Sequence, residues 1–348
     1  MQGVKMRSRC TRVGIDVTKR CNWKCQTCFY RWKPDFNTPY DKPLADAIAE
    51  VSAAKARGCD HAVLVGWGEP GLWPQIIDFI SAVKDMGMTS SIITNGSCSV
   101  GIYEKMREAG LNHLHISAHG IANDLDKIAS FSGAGQRQQQ LFQWLKAERW
   151  PWRMNMTVQR LNYRSLRDIA QACLFYGCRH IISLGFLPHY EWTDPSKLRN
   201  VAVHPGELRP FIEEMIKEVE SHNEYNHHGF KSMVTVRYHP MCHLAPEYRK
   251  YVVNARYVLY DPWEWEYGNA GKSDEEYWKA ALEIGSSVSA DDQPCAGCGL
   301  RMHCGGWNRV YAAGFAGAGL TAIDMPEESK RPGWLHDQNP ANQGNGWF

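Results

Sequence analysis

The feature that most constrains this chain is a regular alternation of short apolar runs and helix-length segments up to Phe186. Strands that alternate with helices at this spacing form βαβ units and a parallel sheet. Six strands fit either a partial barrel or an open doubly wound sheet, and the spacing alone favours neither. The predicted strands are Arg12–Val17, Ala62–Gly66, Ser91–Thr94, His113–Ser117, Arg153–Val158 and His180–Phe186. The predicted helices are Ala45–Arg57, Pro74–Met86, Ile102–Ala109, Gln138–Glu148 and Tyr163–Phe175.

The pattern changes after Phe186. An amphipathic segment predicts one further helix, His204–Ser221, and two strand-like runs with a short helix follow it. These later segments are Met233–Tyr238, Arg256–Tyr260 and Glu275–Leu282, an order that predicts a small α+β unit. We therefore expect three parts, which are a sheet domain over residues 1–222, the small unit over 223–325, and a mobile or capping tail over 326–348.

Charge and composition exclude several classes of function. The 348 residues carry 39 basic and 37 acidic side chains, so there is no broad electrostatic footprint for nucleic acid. Apolar runs such as Ala62–Val65 are far shorter than a membrane span. The first 20 residues hold no apolar stretch, so we expect no signal peptide and a cytoplasmic protein. In that reducing compartment, 12 cysteines indicate metal or redox chemistry rather than disulfides.

Three of the cysteines, Cys21, Cys25 and Cys28, form a compact motif with the spacing C-x3-C-x2-C. The motif follows the first predicted strand, so it lies on a strand-to-helix loop, and a loop can bring three thiolates around one metal centre. Thiolates are ligands for zinc and for iron–sulfur clusters. Three ligands leave one metal position open for chemistry, whereas closed structural zinc sites use four. A zinc knuckle is the alternative interpretation.

On this motif the chain resembles the radical S-adenosylmethionine (radical SAM) superfamily. The resemblance implies that the three cysteines hold a [4Fe–4S] cluster, whose fourth iron is chelated by the amino and carboxylate groups of S-adenosylmethionine (SAM). It also implies a partial (β/α)6 TIM-like barrel over about residues 10–220. Many members have an aromatic residue just before the third cysteine. Here that position is Thr27, and Phe29 and Tyr30 follow the motif, which leaves open the ring that packs beside the adenine.

Further matches to the superfamily lie at the ends of the following strands. The segment Gly66-Trp67-Gly68-Glu69-Pro70 resembles the Gly-Gly-Glu-Pro motif that contacts the SAM amino group, with Trp67 in place of a glycine. Backbone carbonyls and a carboxylate can accept hydrogen bonds from an ammonium. Later strand ends correspond to the positions for the SAM carboxylate, ribose and adenine, on the face where β/α barrels build active sites. The candidate SAM contacts are Phe29, Gly66, Gly68, Glu69, Pro70, Thr94, Asn95, Ser117, His119, Asn155, Leu184 and Phe186.

A second group of cysteines, Cys295, Cys298 and Cys304, has the spacing C-x2-C-x5-C followed by two glycines. This spacing resembles the auxiliary-cluster region of the SPASM and twitch subgroups, although Asn308 stands where full SPASM proteins have another cysteine. In twitch domains an upstream cysteine beside a hairpin ligates the same cluster, and Cys242 is the candidate here. The resemblance therefore implies a twitch-like α+β domain that holds one auxiliary [4Fe–4S] cluster on these four cysteines.

Zinc is the alternative metal for the second group, because four thiolates can hold either zinc or a cluster. A zinc ribbon uses two C-x2-C pairs, whereas this region has one. His243 and His303 lie near these cysteines and are alternative ligands to Cys242.

The resemblance implies a radical enzyme. An external ferredoxin- or flavodoxin-like donor supplies one electron, SAM is cleaved to methionine and a 5′-deoxyadenosyl radical, and the radical abstracts hydrogen from an unactivated carbon. A four-cysteine auxiliary cluster has no open iron, so we expect it to accept an electron in a net oxidation. No general base is assigned.

The substrate is expected to be a small molecule or natural product. Only 20 residues precede Cys21, which leaves no room for a leader-binding domain there. A peptide-modifying enzyme is the alternative. A zinc-binding protein and a two-cluster electron carrier are the rivals from other classes, and the Gly66–Pro70 motif argues against both.

Overall fold

The structure is a computed structural model that describes residues 12–28, 30, 39–56, 58–188, 190–226, 230–252, 289–290, 294–304, 307–315 and 319–325. Phe29, the predicted segments Arg256–Tyr260 and Glu275–Leu282, and the tail over 326–348 lie outside them. In this part of the chain a seven-stranded parallel sheet follows the chain order. Its strands are β1 (Arg12–Asp16), β2 (His61–Val65), β3 (Thr89–Thr94), β4 (His113–Ser117), β5 (Trp152–Val158), β6 (His180–Gly185) and β7 (Met233–Arg237).

Helices connect the successive strands, as parallel pairing requires. Glycine closes several of them, and Gly110, with φ of 116°, adopts the left-handed conformation that ends one helix. The helices are α1 (Leu44–Ala56), α2 (Ile76–Asp85), α3 (Val100–Ala109), α4 (Ala122–Ala129), α5 (Ala134–Glu148), α6 (Leu166–Phe175), α7 (Pro195–Leu198) and α8 (Pro205–Tyr225).

The sheet is open, with β1 and β7 at its two edges, and neighbouring strands pair in parallel throughout. This architecture is the partial β/α barrel that the resemblance implies. The six predicted strands are all present, with bounds shifted by at most two residues. The expected number of strands was too small, however, because Met233–Arg237 joins the sheet beside β6 rather than the C-terminal unit. Helix α8 provides the crossover that a further parallel strand needs.

The two sides of the sheet differ in chemistry. Side chains such as Ile15 and Leu64 are completely buried in the main hydrophobic core, which they share with residues of the helices. Alternate residues face the other way, and near the amino ends of the strands they are polar. Arg153 donates from Nη2 to His115 Nδ1 at 2.8 Å, and burial, together with this guanidinium, holds the pKa of His115 well below its usual value. The buried polar set comprises Arg12, His61, His113, His115, Arg153 and His180.

The described C-terminal residues form short elements against the barrel. Helices α9 (Arg301–Cys304) and α10 (Arg309–Gly314) flank the two-residue strand β9 (Trp307–Asn308), which pairs antiparallel with β8 (Ser289–Ala290). Helix α10 contacts α7, where Arg199 Nε donates to the Gly314 carbonyl at 2.6 Å. Within the described ranges, no helix has the length and apolar character needed to cross a membrane.

Candidate active site

The first cysteine motif lies on the loop after β1, at the carboxyl edge of the sheet. Cys21 is exposed, and Cys25 and Cys28 are half-buried. Between them the Trp23 side chain is 4% exposed and packs in a small apolar cluster with α4 residues such as Ala129. This buried indole anchors the middle of the loop, so the three thiols stay together at the sheet edge.

A backbone clasp joins this loop to the segment that follows β2. Gly68 N donates to Thr18 O at 3.0 Å, and Glu69 N donates to Arg20 O at 2.6 Å. A Cβ atom on Gly68 would lie 2.0 Å from the Arg20 carbonyl oxygen, and one on Gly66 would lie 3.1 Å from that of Thr18. Only glycine permits the approach at position 68, which explains why the predicted motif keeps this residue.

The Glu69 carboxylate ties the ends of β2 and β3 together. Its Oε1 accepts from Thr94 Oγ1 at 2.6 Å and from Gly71 N at 3.1 Å, and its Oε2 accepts from Asn95 N at 2.6 Å. The residue is 2% exposed, and this burial raises the pKa of its side chain to about 7, although the three hydrogen bonds act in the opposite direction. The carboxylate therefore positions the loops, in addition to any contact with a ligand ammonium.

Asn95 carries this network to the cysteine loop. Its Nδ2 donates to Asn22 Oδ1 at 3.1 Å and lies 4.0 Å from Cys21 Sγ. Ser97 Oγ donates to the same Asn22 oxygen at 2.9 Å. The motif cysteines are thus connected through side chains to the end of β3, as well as through the backbone to β2.

The buried side chain of Gln138 in α5 joins the ends of β3 and β4. Its Nε2 donates to Asn95 O at 2.8 Å and to Ser117 O at 2.9 Å. Both partners are carbonyl oxygens, which fixes the orientation of the amide. The sequence placed Gln138 only at the start of a helix. Asn22, Ser97 and Gln138 were missed as site residues, because contacts this distant along the chain leave no local spacing signal.

The other predicted SAM contacts also lie at the carboxyl ends of their strands. Ser117 pairs with Asn155 in the β4–β5 register, and Leu184 is half-buried near the end of β6. His119 Nδ1 accepts from Thr157 N at 3.1 Å, and burial lowers the pKa of this histidine to about 4, so the ring is neutral and its Nε2 carries the proton.

Phe186 and Pro70 have structural partners. The Phe186 ring is 2% exposed and packs edge-on against Trp192, at 6.4 Å between ring centroids, in a second apolar cluster that includes Tyr311. Pro70 begins a short 3-10 helix, for which Glu69 is the N-cap. Near Phe186 only the backbone therefore remains for the adenine contact that the resemblance implies.

The second group of cysteines comes together in one small cavity. Cys242, Cys295, Cys298 and Cys304 all line it. Two of the sulfurs face backbone donors, because Ile323 N lies 3.3 Å from Cys298 Sγ and Met241 N lies 3.5 Å from Cys304 Sγ. The sequence positions are far apart, and Cys242 is contributed by the 3-10 helix that follows β7.

The comparison with protein families decides the identity of the main domain. Residues 15–173 match the family described as the Radical SAM superfamily. Residues 15–173 are a radical SAM domain. This match spans the cysteine motif, the clasp and strands β2 to β5, and so covers most of the site described above.

Two curated relatives share low sequence identity with this chain. It is 24% identical over 165 residues to the probable GTP 3′,8-cyclase of Methanocaldococcus jannaschii. The aligned residues cover 47% of this chain and 55% of that protein. It is 22% identical over 211 residues to the PqqA peptide cyclase of Methylorubrum populi, 60% of this chain and 53% of the relative. The chain therefore spans about half the length of these curated relatives.

Solved structures share the fold. Streptococcus suis SuiB bound to its precursor peptide SuiA aligns with a TM-score of 0.59 at 14% identity, over 92% of this chain and 76% of that one. The structure of anSMEcpe with bound AdoMet and a Kp18Cys peptide aligns with a TM-score of 0.54 at 14% identity, over 88% of this chain and 95% of the other.

The chemistry of the first site fits the cofactors of the superfamily. Three thiols on one loop suit a [4Fe–4S] cluster with one open iron, and the glycine-lined clasp leaves backbone carbonyls beside them. Within the described part of the chain, no three His, Cys, Asp or Glu side chains converge on a single-ion site. Each thiolate of a cubane cluster binds its own iron, so the ligands of a cluster need no such convergence.

Proposed function

We propose that this radical SAM enzyme is of the SPASM/twitch type and abstracts hydrogen from an unactivated carbon of its substrate, in a net oxidation or rearrangement. The observation that carries the proposal is the clasp between the Cys21 loop and Gly66–Pro70, because it brings the three thiols and the backbone assigned to SAM to one edge of the sheet. When bound and reduced, the cluster and SAM supply a 5′-deoxyadenosyl radical, which is the group that removes the hydrogen.

The residues of the chain hold and orient these groups. Cys21, Cys25 and Cys28 are the proposed cluster ligands, and the buried Glu69 carboxylate fixes the loops around them. The neutral His119 ring carries its proton on Nε2, which provides a donor for the SAM carboxylate or ribose. A rigid site of this kind accelerates a reaction by holding the reacting atoms in line.

The second cavity is the proposed site of an auxiliary [4Fe–4S] cluster. Its four cysteines, Cys242, Cys295, Cys298 and Cys304, form a complete ligand set for such a cluster. Because four cysteine ligands leave no iron of this cluster open to a substrate, the cluster is proposed to accept an electron rather than to bind the substrate. This proposal also accounts for Cys242, which lies 53 residues before the C-x2-C pair and lines the same cavity.

A small-molecule or natural-product substrate is proposed first. The relationship to a protein named GTP 3′,8-cyclase supports it. A peptide substrate is the second candidate, supported by the relative named PqqA peptide cyclase and by the fold shared with peptide-bound SuiB. We further propose a ferredoxin- or flavodoxin-like electron donor and a reducing cytoplasmic setting, which the two groups of cysteines at metal-ligand spacing support.

The test counts iron and 5′-deoxyadenosine on the same anaerobically reconstituted protein given dithionite. Wild type is expected to hold about eight irons per chain. The combined Cys21→Ala, Cys25→Ala and Cys28→Ala variant is expected to keep about four and to make no 5′-deoxyadenosine. The combined Cys242→Ala, Cys298→Ala and Cys304→Ala variant is expected to lose about four irons and still cleave SAM.

Two buried cysteines outside both groups provide the control. Cys59→Ala and Cys173→Ala remove thiols that the structure places in the hydrophobic core, so the iron count and SAM cleavage should not change. Zinc in place of iron, or full clusters without 5′-deoxyadenosine, would contradict the enzyme assignment. Zinc at the second site alone would contradict only the auxiliary cluster.

A further inference from the structure

A separate cavity opens beside the cysteine loop, at the edge of the sheet formed by β1. Its lining comes from the end of β1, the residues just after it, the segment before α1, and the loop after β2. The lining residues are Asp16, Thr18, Lys19, Tyr40, Lys42 and Trp67. None of them is a candidate SAM contact in the sequence, although Trp67 lies within the motif assigned to the SAM amino group.

Trp67 forms an aromatic wall of this cavity. It stands where the superfamily motif has a glycine, which has no side chain and could not form this wall. Lys19 Nζ lies 4.5 Å from the centre of this ring, a cation–π contact. The Tyr30 ring stacks on Trp67 at 5.9 Å with 13° between the planes. Because Tyr30 follows Cys28 by two residues, the wall is joined directly to the cysteine loop.

The opposite part of the lining is held in place by the backbone. Lys19 N donates to Tyr40 O at 2.9 Å, and Lys42 N donates to Val17 O at 2.8 Å. The indole of Trp73 donates to the Lys42 carbonyl at 3.1 Å. Lys42 Nζ also contacts Glu50 Oε1 at 2.5 Å, which uses one of its three donors. The segment is therefore ordered before any ligand arrives, and this lowers the entropic cost of binding.

The chemical composition of the lining matches one class of ligand. Asp16 provides a carboxylate, Lys19 and Lys42 provide ammonium groups, and Tyr40 and Trp67 provide apolar ring surface. We propose that this cavity binds the ammonium and carboxylate of a free α-amino acid as the substrate. The proposal rests on the proposed function and narrows its substrate class.

The same chemistry argues against a residue inside a peptide chain. Such a residue has neither a free ammonium nor a free carboxylate, so it would make neither of the charged contacts that Asp16, Lys19 and Lys42 offer to a free amino acid. SAM does carry both groups. The amino group of SAM is assigned to the backbone of Gly66–Pro70, however, and the experiment must separate the two ligands.

Binding is measured by isothermal titration of each of the twenty free L-amino acids into full-length reconstituted protein saturated with SAM. At least one is expected to bind saturably. Its N-acetyl and carboxamide derivatives, which each lack one charge, should bind about tenfold more weakly. Lys19→Gln and Asp16→Asn should weaken binding of the amino acid by a similar factor and leave SAM binding unchanged. Lys105→Gln and Asp46→Asn, at exposed positions on helices α3 and α1, are the matched controls.

Three outcomes would overturn the proposal. None of the twenty amino acids binds, or the uncharged derivatives bind as well as the parent, or the Lys19 and Asp16 variants weaken SAM instead. The last result would assign the cavity to SAM. Failure of the proposed function has a different signature, because wild type would then produce no 5′-deoxyadenosine with dithionite even when no amino acid is added.

Discussion

Around Cys21, three cysteines from a stretch of eight residues sit on a loop clasped by its neighbours, whereas around Cys242 the cysteines come from positions up to 62 residues apart. The first site is supported by the buried Glu69 carboxylate and by two interlocked backbone segments. The second consists of short elements, and the sulfurs of Cys298 and Cys304 lie near the backbone N–H groups of Ile323 and Met241. Contacts within the protein therefore hold the Cys21 loop in place at the first site.

The difference predicts which site depends more on its proposed cluster. A site that the protein does not preform gains order from the metal that it binds, so metal binding there also stabilises the fold. The four cysteines of the Cys242 cavity do come together, but on short elements that are far apart in the chain, so we expect this site to gain more order from metal binding than the Cys21 loop does. Four predictions separate the two sites, and they are given from the largest expected effect to the smallest.

Gly68→Ala should disrupt the first site alone. The added Cβ would overlap the Arg20 carbonyl, and backbone atoms cannot move aside as a flexible side chain does. We expect SAM cleavage to fall at least tenfold and the free energy of unfolding to fall by about 4 kcal/mol. About four irons should remain, bound at the second site.

Gly101→Ala is the control for this change. Gly101 lies within α3 and has no neighbour closer than 3.9 Å to an added Cβ, so alanine should stabilise the helix by about 0.5–1 kcal/mol. Equal SAM cleavage in the Gly68 variant and wild type would show that the site does not need the clasp.

Part of the fold and of the first site could be predicted from the sequence. The order of strands, the cysteine motif and the Gly66–Pro70 segment are local patterns, and they predicted the main part of the sheet and its carboxyl edge. Local patterns did not reveal that β7 belongs to the sheet, because a strand that follows a long helix looks the same in either domain. The contacts of Gln138 were equally hidden, since a glutamine in a helix is usually exposed.

Glu69→Gln should change the pH dependence of stability. The folded-state pKa of about 7 lies above the value of 4.5 for the free side chain, so the native state holds a proton that the unfolded chain releases. The free energy of unfolding of wild type should therefore fall by about 3 kcal/mol as the pH rises from about 4.5 to about 7. The glutamine variant should lack this component.

Denaturant titrations of the metal-free chain across this pH range measure the effect. Asp46→Asn, an exposed change on α1, should keep the wild-type profile. Parallel profiles for wild type and Glu69→Gln would mean that the hydrogen bonds from Thr94, Gly71 and Asn95 outweigh burial and keep the carboxylate ionised.

Gln138→Met should loosen the link between β3 and β4. The substitution removes two hydrogen bonds and leaves the Asn95 and Ser117 carbonyls without this donor, which should lower the free energy of unfolding by about 2 kcal/mol. Gln139→Met, on the exposed side of the same helix, should change it by less than about 0.5 kcal/mol. The result is read from thermal or denaturant unfolding, and identical values for the two variants would contradict the role of Gln138.

Asn308→Ala tests the second site. Asn308 occupies the position of a further cysteine in full SPASM proteins, and here its Oδ1 accepts from Val310 N at 2.9 Å as the N-cap of α10. Loss of the cap should lower stability by about 1 kcal/mol and should not affect SAM cleavage, while Asn308→Ser should restore most of the loss. A large loss of iron in the alanine variant would instead indicate that Asn308 is close to a metal.

The chain order of the sheet has a consequence for electron transfer. Cys21 follows the last residue of β1 by five positions, and Cys242 follows the last residue of β7 by five positions, so each site begins five residues after one of the two edge strands of the sheet. Six interstrand spacings would place those edges about 29 Å apart in a flat sheet. Twist and curvature bring them closer. In the proposed enzyme, the curvature of the barrel would therefore set the tunnelling distance between the two clusters, and hence the time available for the substrate radical to be oxidised.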